Sequence, residues 1–236
     1  MPSEDDSFPN SEEHFRSAFN QSDAPSELLK LLKEYPEYMV VVDLVVNYKW
    51  ILKENPERAE ELTRTVVALL DAPDAPVIDS ETKISEIIRR RVAFLQTGCL
   101  EINDDTKDFG PTNDFLTGSL LSGFAFKYNL AQCSDQYGGI LEGLDADPAL
   151  ANSEVLVTGA CIQLLTAGSE IIQCSKSYFK SAKEVAAKLK AQKLAGAVKN
   201  EHALKLLELT ILHAESGFKK ENDMNNVWTI LFPSQV

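Results

Sequence analysis

The sequence contains few of the patterns that mark catalytic, metal or nucleotide sites. It has three histidines, His14, His202 and His213, and no Walker A, GxGxxG, HExxH, GxSxG or EF-hand pattern. His202 and His213 are eleven residues apart in one predicted helix, which is three turns and too far along the axis for one metal ion. We expect both at the surface or edge of that helix. We also expect no catalytic residue, no metal site and no cofactor.

Long apolar runs and paired cysteines are missing as well. No eighteen consecutive residues are apolar, so no transmembrane segment is predicted. The N-terminal residues have neither the apolar core of a signal peptide nor the arginines of a transit peptide. The cysteines lie in apolar helical patterns without a CxxC pair, which favours reduced, buried thiols; they are Cys99, Cys133, Cys161 and Cys174. We therefore expect a cytoplasmic protein, with the nucleus as second choice.

Positive charge is scarce and unevenly distributed. The 236 residues include 23 Lys and Arg against 36 Asp and Glu, a formal net charge of −13. This balance is opposite to that of most nucleic-acid-binding proteins, so it disfavours nucleic acid as a partner. Residues 1–154 contain 13 basic and 29 acidic residues, whereas residues 155–236 contain 10 and 7. The asymmetry indicates two surfaces with different partners, or one half that neutralises the other.

The spacing of apolar residues predicts an all-α fold. Apolar residues recur every three or four positions, and alternating runs are rare. Residues 1–24 are predicted to be an acidic flexible arm, in which Phe15 and Phe19 dock onto the body or onto a partner. Residues 25–236 are predicted to be a single α-helical domain, with a candidate sub-boundary near 103–113. A multi-helix bundle and an irregular HEAT- or armadillo-like array both fit, and the missing repeat signature favours the bundle.

The most apolar predicted helix, in PEYMVVVDLVVNYKWILKE, carries two polar residues one turn apart, Asp43 and Asn47. Trp50 continues their face. Because the rest of the circumference is apolar, we expect this helix to be packed on several sides, and Arg90 to provide a cation for the carboxylate. The polar pair is either a narrow solvent-facing stripe, a structural ion pair or a ligand site.

The Asp-x-x-x-Asn spacing in VVDLVVNYKW resembles the headgroup-binding helix of the glycolipid transfer proteins. Those all-α proteins are of similar size, and an Asp, an Asn and a following Lys on one helix grip a sugar. Asp43 and Asn47 match the spacing, whereas Lys49 is one position too early and the family's later His-Gly-Trp-like element is missing. The resemblance covers about one helix. It implies an alternative function, a carrier of lipid or a small hydrophobic ligand with its polar head site at Asp43 and Asn47.

The segment from Lys176 to Lys205 is basic, with eight lysines and two acids. It has no arginine and few aromatics, which disfavours bidentate phosphate contacts and base stacking. The segment is either a solvated face that balances the acidic half or a surface for an acidic protein, a phosphorylated segment, a membrane surface or nucleic acid, and the solvated face is the default. The candidate partner-binding lysines are Lys176, Lys180, Lys183, Lys188, Lys190 and Lys193.

Small residues recur inside three predicted helices. They are Gly118, Ser119, Ser122 and Gly123, then Thr158-Gly159-Ala160, then Ala167-Gly168-Ser169. A glycine inside a helix costs about 1 kcal/mol relative to alanine, so close helix approach is the expected reason. We favour contact within the protein over contact across a homodimer.

These features together favour a non-catalytic protein-protein interaction or scaffold subunit of a larger assembly, with a homo-oligomer as one form of that assembly. The candidate contacts are the six lysines, the Phe15 and Phe19 pair, and the apolar tail around Trp228.

Overall fold

A computed structural model of the chain describes residues 10–78, 82–99, 114–130 and 154–220, together with residues 144, 222, 227 and 230. The chain divides into two compact units, Met1–Phe94 and Leu95–Val236, here called unit 1 and unit 2. The described residues are mostly helical, which confirms the predicted all-α class. The candidate sub-boundary near 103–113 is outside the described residues.

Unit 1 consists of helices and one short hairpin. Its elements are α1 (Ser11–Phe19), α2 (Ala24–Glu34), α3 (Tyr38–Glu54), a 3₁₀ turn (Pro56–Arg58), α4 (Ala59–Leu70), β1 (Val77–Ile78), β2 (Thr82–Lys83) and the first part of α5 (Ile84–Cys99). The two strands pair antiparallel. Helix α1 packs on α2 and α3, and α2 packs on α4, so the apolar faces of these helices form one core.

Helix α1 is part of that core. Phe15 and Phe19 are buried, since their spacing places both on the face that meets α2 and α3. The guanidinium of Arg16 donates to both carboxylate oxygens of Glu54 at the end of α3. Arg58 donates to the backbone carbonyl of Phe19 at 3.0 Å. The flexible arm predicted for residues 1–24 therefore contains a packed helix, and residues 1–9 are outside the described part of the chain.

Unit 2 is built around two helices that are buried on all sides. They are α6 (Asp114–Lys127) and α7 (Glu154–Ala167), in which residues 115–125 and 155–167 are all buried. The other described helices of unit 2 are α8 (Glu170–Gln173), α9 (Lys176–Leu194) and α10 (Glu201–Glu215). Helix α7 packs on α6 and α10, and α10 packs on α9. A chain of neighbouring helices thus links the buried pair to the exposed surface of α9.

Small residues allow α6 and α7 to approach closely. A Cβ atom on Gly123 would lie 1.6 Å from Thr166 Oγ1, and one on Gly159 would lie 2.2 Å from Phe115 Cε1. Both distances are far below van der Waals contact, so only glycine fits at either position. The expectation that these residues serve contact within the protein is confirmed for this pair of helices.

Side-chain caps fix where α9 and α10 begin. The Ser175 hydroxyl accepts a hydrogen bond from the backbone N–H of Tyr178, and Asn200 accepts from His202 and Ala203. The Glu154 carboxylate at the start of α7 also accepts from the backbone N–H of Asn200 at 2.8 Å. The bond from Asn200 to Glu154 ties the connection between α9 and α10 to the start of the buried helix α7.

Candidate protein-binding surface

All six candidate lysines lie on α9. Lys176, Lys180, Lys183 and Lys190 are exposed, whereas Lys188 and Lys193 are half-buried. The opposite face of α9 is buried in unit 2 through Ala182, Val185, Ala186 and Leu189. Lys176, Lys180, Lys183 and Lys190 therefore share one exposed face of α9, and Lys188 and Lys193 lie on either side of it.

A groove of about 220 Å³ runs between α9 and α10 on this surface. Its lining combines small and apolar side chains with charged ones: Lys183, Ala186, Ala187 and Lys190 from α9, and Ile211, Ala214 and Glu215 from α10. Alanine side chains leave a depression where larger ones would fill the space between the helices. The groove is called the α9/α10 groove below.

Ion pairs across the two helices hold the groove in shape. Lys190 Nζ lies 2.7 Å from Glu215 Oε1, and Lys193 Nζ lies 2.9 Å from Glu208 Oε1. Each pair is partly exposed, so each contributes about 0.2 to 1 kcal/mol. Their main structural effect is to fix the spacing of α9 and α10 along the groove.

The rim formed by α9 stays cationic after these pairs are counted. Helix α9 contains six lysines and one glutamate, Glu184. The charged residues that line the groove itself are Lys183 and Lys190 from α9 and Glu215 from α10, which leaves a net charge of +1. Lys183 holds its ammonium 4.3 Å from the centroid of the Phe179 ring, a cation–π contact. The groove therefore has a positive rim beside an apolar floor.

Two exposed leucines extend the apolar area near the groove. Leu194 is 81% exposed and continues the line of Lys183, Ala187 and Lys190 along α9. Leu212 on α10 is 63% exposed. Neither leucine lines the groove itself, so each is an exposed apolar residue on a helix that forms the groove.

The aromatic residues predicted to contact a partner are either buried or outside the described residues. Phe15 and Phe19 are buried in unit 1, so neither is available at its surface. Trp228 is outside the described residues. The lysines are the part of the predicted partner-binding set that the structure brings together.

The alternative ligand site is divided between the inside and the outside of unit 1. Asn47 is buried and donates through Nδ2 to the backbone carbonyl of Asp43 at 2.9 Å, so the side chains do not meet as a pair. Asp43 is half-buried and Trp50 is exposed. Arg90 is exposed and pairs with Glu86 of its own helix at 3.9 Å. Its predicted role as the cation for Asp43 is not seen, because a same-helix carboxylate lies one turn away.

The side-chain oxygen of Asn47 has an unusual environment. Asn47 Oδ1 is buried and has no hydrogen-bond partner among the described residues. A buried amide oxygen without a partner costs about 1 to 3 kcal/mol. This atom is the one feature of α3 that would favour a bound polar group.

Helix α3 also differs from the expectation that it is packed on several sides. Met39, Val46 and Trp50 are exposed along one face, and the aliphatic stems of Lys49 and Lys53 place their ammonium groups 6.0 and 5.5 Å from the Trp50 ring centroid. The helix therefore buries one side and presents an apolar stripe on the other.

His213 lies deeper than predicted. It is buried and makes an edge contact with Phe218, with ring centroids 5.1 Å apart. The reason is that His213 shares the inward face of α10 with Leu206 and Thr210, which are also buried. In the described ranges, no three His, Cys, Asp or Glu side chains are grouped closely enough to hold a metal ion.

Cys161 and Cys174 both have free thiols. Cys161 is buried in unit 2, and burial raises the pKa of its thiol to about 12. Cys174 is half-buried and its Sγ contacts the Ile171 carbonyl. Among the described residues, no helix is long and apolar enough to cross a membrane.

The chain matches no protein-family model, no curated protein and no solved structure. The groove residues that sequence reasoning missed are Ala187, Ile211, Ala214 and Glu215. The repeated alanines beside lysines in SAKEVAAKLKAQKLAGA were the available signal for a groove. The spacing of residues alone could not show that α10 forms its other side.

Proposed function

We propose that this chain is a non-catalytic protein-interaction subunit of a larger assembly, and that the α9/α10 groove binds an acidic, amphipathic helix of a partner protein. The observation that carries the proposal is the combination of an apolar floor and a cationic rim in one groove. A helix with one apolar face and acidic flanks is the ligand that such a groove accommodates. A cytoplasmic location belongs to the same proposal.

The floor supports a helical ligand because its side chains are small. Ala186, Ala187 and Ala214 let the backbone of a third helix approach α9 and α10 closely, and Ile211 provides the largest apolar contact of the floor. Apolar side chains of the ligand would remove this area from water, at about 25 cal/mol per Å² buried.

The rim sets the charge pattern of the ligand. Lys183 and Lys190 are seven residues apart, about 10 Å along the axis of α9. A partner helix that lies along α9 matches them with carboxylates at positions i and i+7. Lys190 would then exchange or share its contact with Glu215, and Lys183 would keep its contact with Phe179 while it binds the partner.

A defined peptide tests the proposal. The probe is a fluorescein-labelled amphipathic helix of about 18 residues, close to the length of α9, with leucine on one face and glutamate at the flanking i and i+7 positions. Fluorescence anisotropy with the full chain measures its dissociation constant. A peptide with lysine in place of each glutamate is the matched control ligand.

Two variants assign binding to the groove. Lys183→Glu and Lys190→Glu are each expected to weaken binding about tenfold or more, because each replaces an attraction by a repulsion. Lys205→Glu is the control, since Lys205 is exposed on α10, outside the groove lining, and the charge change is the same. Equal binding of the acidic and basic peptides, or equal effects of all three variants, would refute the groove as the binding site.

A lipid or small hydrophobic ligand carrier remains the second candidate function. The observation in its favour is the buried Asn47 Oδ1 without a hydrogen-bond partner among the described residues. Native mass spectrometry of the purified full chain tests it. A copurifying ligand that is lost in Asn47→Leu and kept in Lys205→Glu would favour the carrier, whereas an unliganded mass would argue against it.

A further inference from the structure

The unpaired positive charge of α9 lies in its amino-terminal half. Lys176 and Lys183 are exposed, and among the described residues neither has a carboxylate within ion-pair distance. They are seven residues apart, which places them on the same face, about 10 Å apart along the helix axis. Lys180 stands between them and pairs with Glu184 at 3.6 Å. Three lysines against one glutamate leave residues 176–184 with a net charge of +2.

The carboxyl-terminal half of α9 has its groove-side lysines paired and is more apolar. Lys190 and Lys193 pair with Glu215 and Glu208 of α10. One turn beyond Lys190, Leu194 continues the line of the groove and is 81% exposed. The two ends of this surface therefore differ, because one is cationic and the other combines paired charges with an exposed apolar side chain.

Helix α10 runs antiparallel to α9. Phe179 near the start of α9 contacts Phe218, just after α10, with ring centroids 6.1 Å apart. Lys193 near the end of α9 pairs with Glu208 within α10. The positive amino end of α9 thus lies beside the negative carboxyl end of α10, and the two helix dipoles largely cancel there. The lysine side chains therefore decide the charge at this end of the groove.

We propose that the partner helix binds the α9/α10 groove in one direction, antiparallel to α9. Its acidic carboxyl-terminal half lies on Lys176 and Lys183, and its apolar amino-terminal half extends toward Leu194. The carboxyl end of a helix carries partial negative charge, so the dipole of the ligand and its acidic side chains are attracted to the same lysines. This direction rests on the proposed function, and it specifies which half of the partner helix is acidic.

A charge reversal outside the groove lining tests the acidic contact. The probe is a labelled amphipathic peptide of about 18 residues, with leucine along one face and glutamate at positions i and i+7 of its carboxyl-terminal half. Lys176→Glu is expected to raise its dissociation constant about tenfold, because an attraction becomes a repulsion. Lys205→Glu makes the same charge change on α10, outside the groove lining, and is expected to stay within about twofold of the unaltered chain.

The outcomes separate this proposal from the proposed function. If Lys183→Glu weakens binding while Lys176→Glu acts no more strongly than Lys205→Glu, the groove binds the peptide but the proposed direction is overturned. If the unaltered chain does not bind the peptide, both proposals fail. Far-UV circular dichroism checks that each variant stays folded.

A nitroxide label at either end of the peptide tests the direction itself. Lys176 and Leu194 are about 27 Å apart along α9, so a label at one end of the bound peptide broadens the amide signals of one end of α9 far more than those of the other. The label at the carboxyl end is expected to broaden the amides of Lys176 and Tyr178. The label at the amino end is expected to broaden those of Leu194 and Ala195. The reverse pattern, or equal broadening at both ends, would overturn the proposal.

Discussion

Replacing Gly159 by alanine should destabilise unit 2, although alanine is the better helix former. Gly159 lies in the middle of α7, where a Cβ atom would be 2.2 Å from Phe115 Cε1 and 2.7 Å from Ser119 Oγ. The Ser119 hydroxyl is itself bonded to the Phe115 carbonyl at 2.9 Å, so it is not free to turn away. Helices α6 and α7 must therefore separate, or the Phe115 ring must leave its position.

The expected change in the free energy of unfolding is the sum of two opposed contributions, overpacking and helix propensity. Adding a methyl group to a packed core costs about 1 to 3 kcal/mol, and a contact as short as that between Gly159 and Phe115 belongs at the upper end. The gain in helix propensity from glycine to alanine returns about 1 kcal/mol. The expected net loss in the free energy of unfolding is about 2 kcal/mol. With a urea dependence of about 2 kcal/mol per molar, the unfolding midpoint falls by about 1 M.

Urea denaturation followed by far-UV circular dichroism measures this change. Ala191→Gly, at an exposed position of α9, gives the propensity term by itself and should cost about 1 kcal/mol. Phe115→Leu removes the ring that the new methyl group of Gly159→Ala would meet. The double variant should therefore lose less free energy of unfolding than the two single variants lose in sum. A Gly159→Ala protein that is as stable as the original or more stable would refute the close approach of α6 and α7.

Three further predictions concern buried or paired groups. Tyr48→Phe should lower the unfolding free energy by about 1 kcal/mol in urea titrations, because the buried Tyr48 hydroxyl lies 2.7 Å from Thr63 Oγ1; an unchanged midpoint would contradict this. Cys161 should resist iodoacetamide at pH 8 until the protein unfolds, since burial raises its pKa to about 12; rapid labelling of the native protein would contradict its burial. The Arg16 hydrogen bond lowers the pKa of Glu54, so its stabilisation is present above the unfolded-state pKa and is lost as pH falls. Glu54→Gln should therefore reduce the stability difference between pH 6 and pH 3, and an identical pH dependence would argue against the pair.

The sequence predicts the main helices of this protein better than it predicts the short hairpin or the structure of the N-terminal residues. Apolar periodicity identified α2, α3, α9 and α10, because each has a buried face whose residues recur at helical spacing. The pairing of Val77–Ile78 with Thr82–Lys83 was missed, since strands of two residues are too short to show alternation. The spacing of Phe15 and Phe19 indicated a short helix that docks onto the body, but the acidic composition of residues 1–24 led to the prediction of a flexible arm.

The sequence predicts the part of the candidate site that lies on a single helix, and it does not predict the part that depends on the packing of two helices. The lysine face is local to one helix, and spacing along the sequence locates it. The α9/α10 groove depends on how α10 lies beside α9, which the cross-helix pair of Lys190 with Glu215 helps to fix. Contacts between residues 25 positions apart leave no periodic signal in the chain.

The exposed stripe of α3 shows the same limit. A helix that is apolar nearly all round is expected to be buried on several sides. Trp50 and Met39 are nevertheless exposed, because α1 covers one side of α3 while the stripe lies on another. Whether an apolar face is covered depends on its neighbours, which the composition of one helix does not specify.

Heteronuclear NMR of the labelled full chain, titrated with the acidic amphipathic peptide, tests whether the α9/α10 groove binds an acidic helix. We expect saturable shifts of the backbone amides of Ala186, Ala187, Ile211 and Ala214, which line the groove, and much smaller shifts with the basic peptide. Amides of these four residues that do not move with the acidic peptide, or shifts confined to other faces of unit 2, would contradict it.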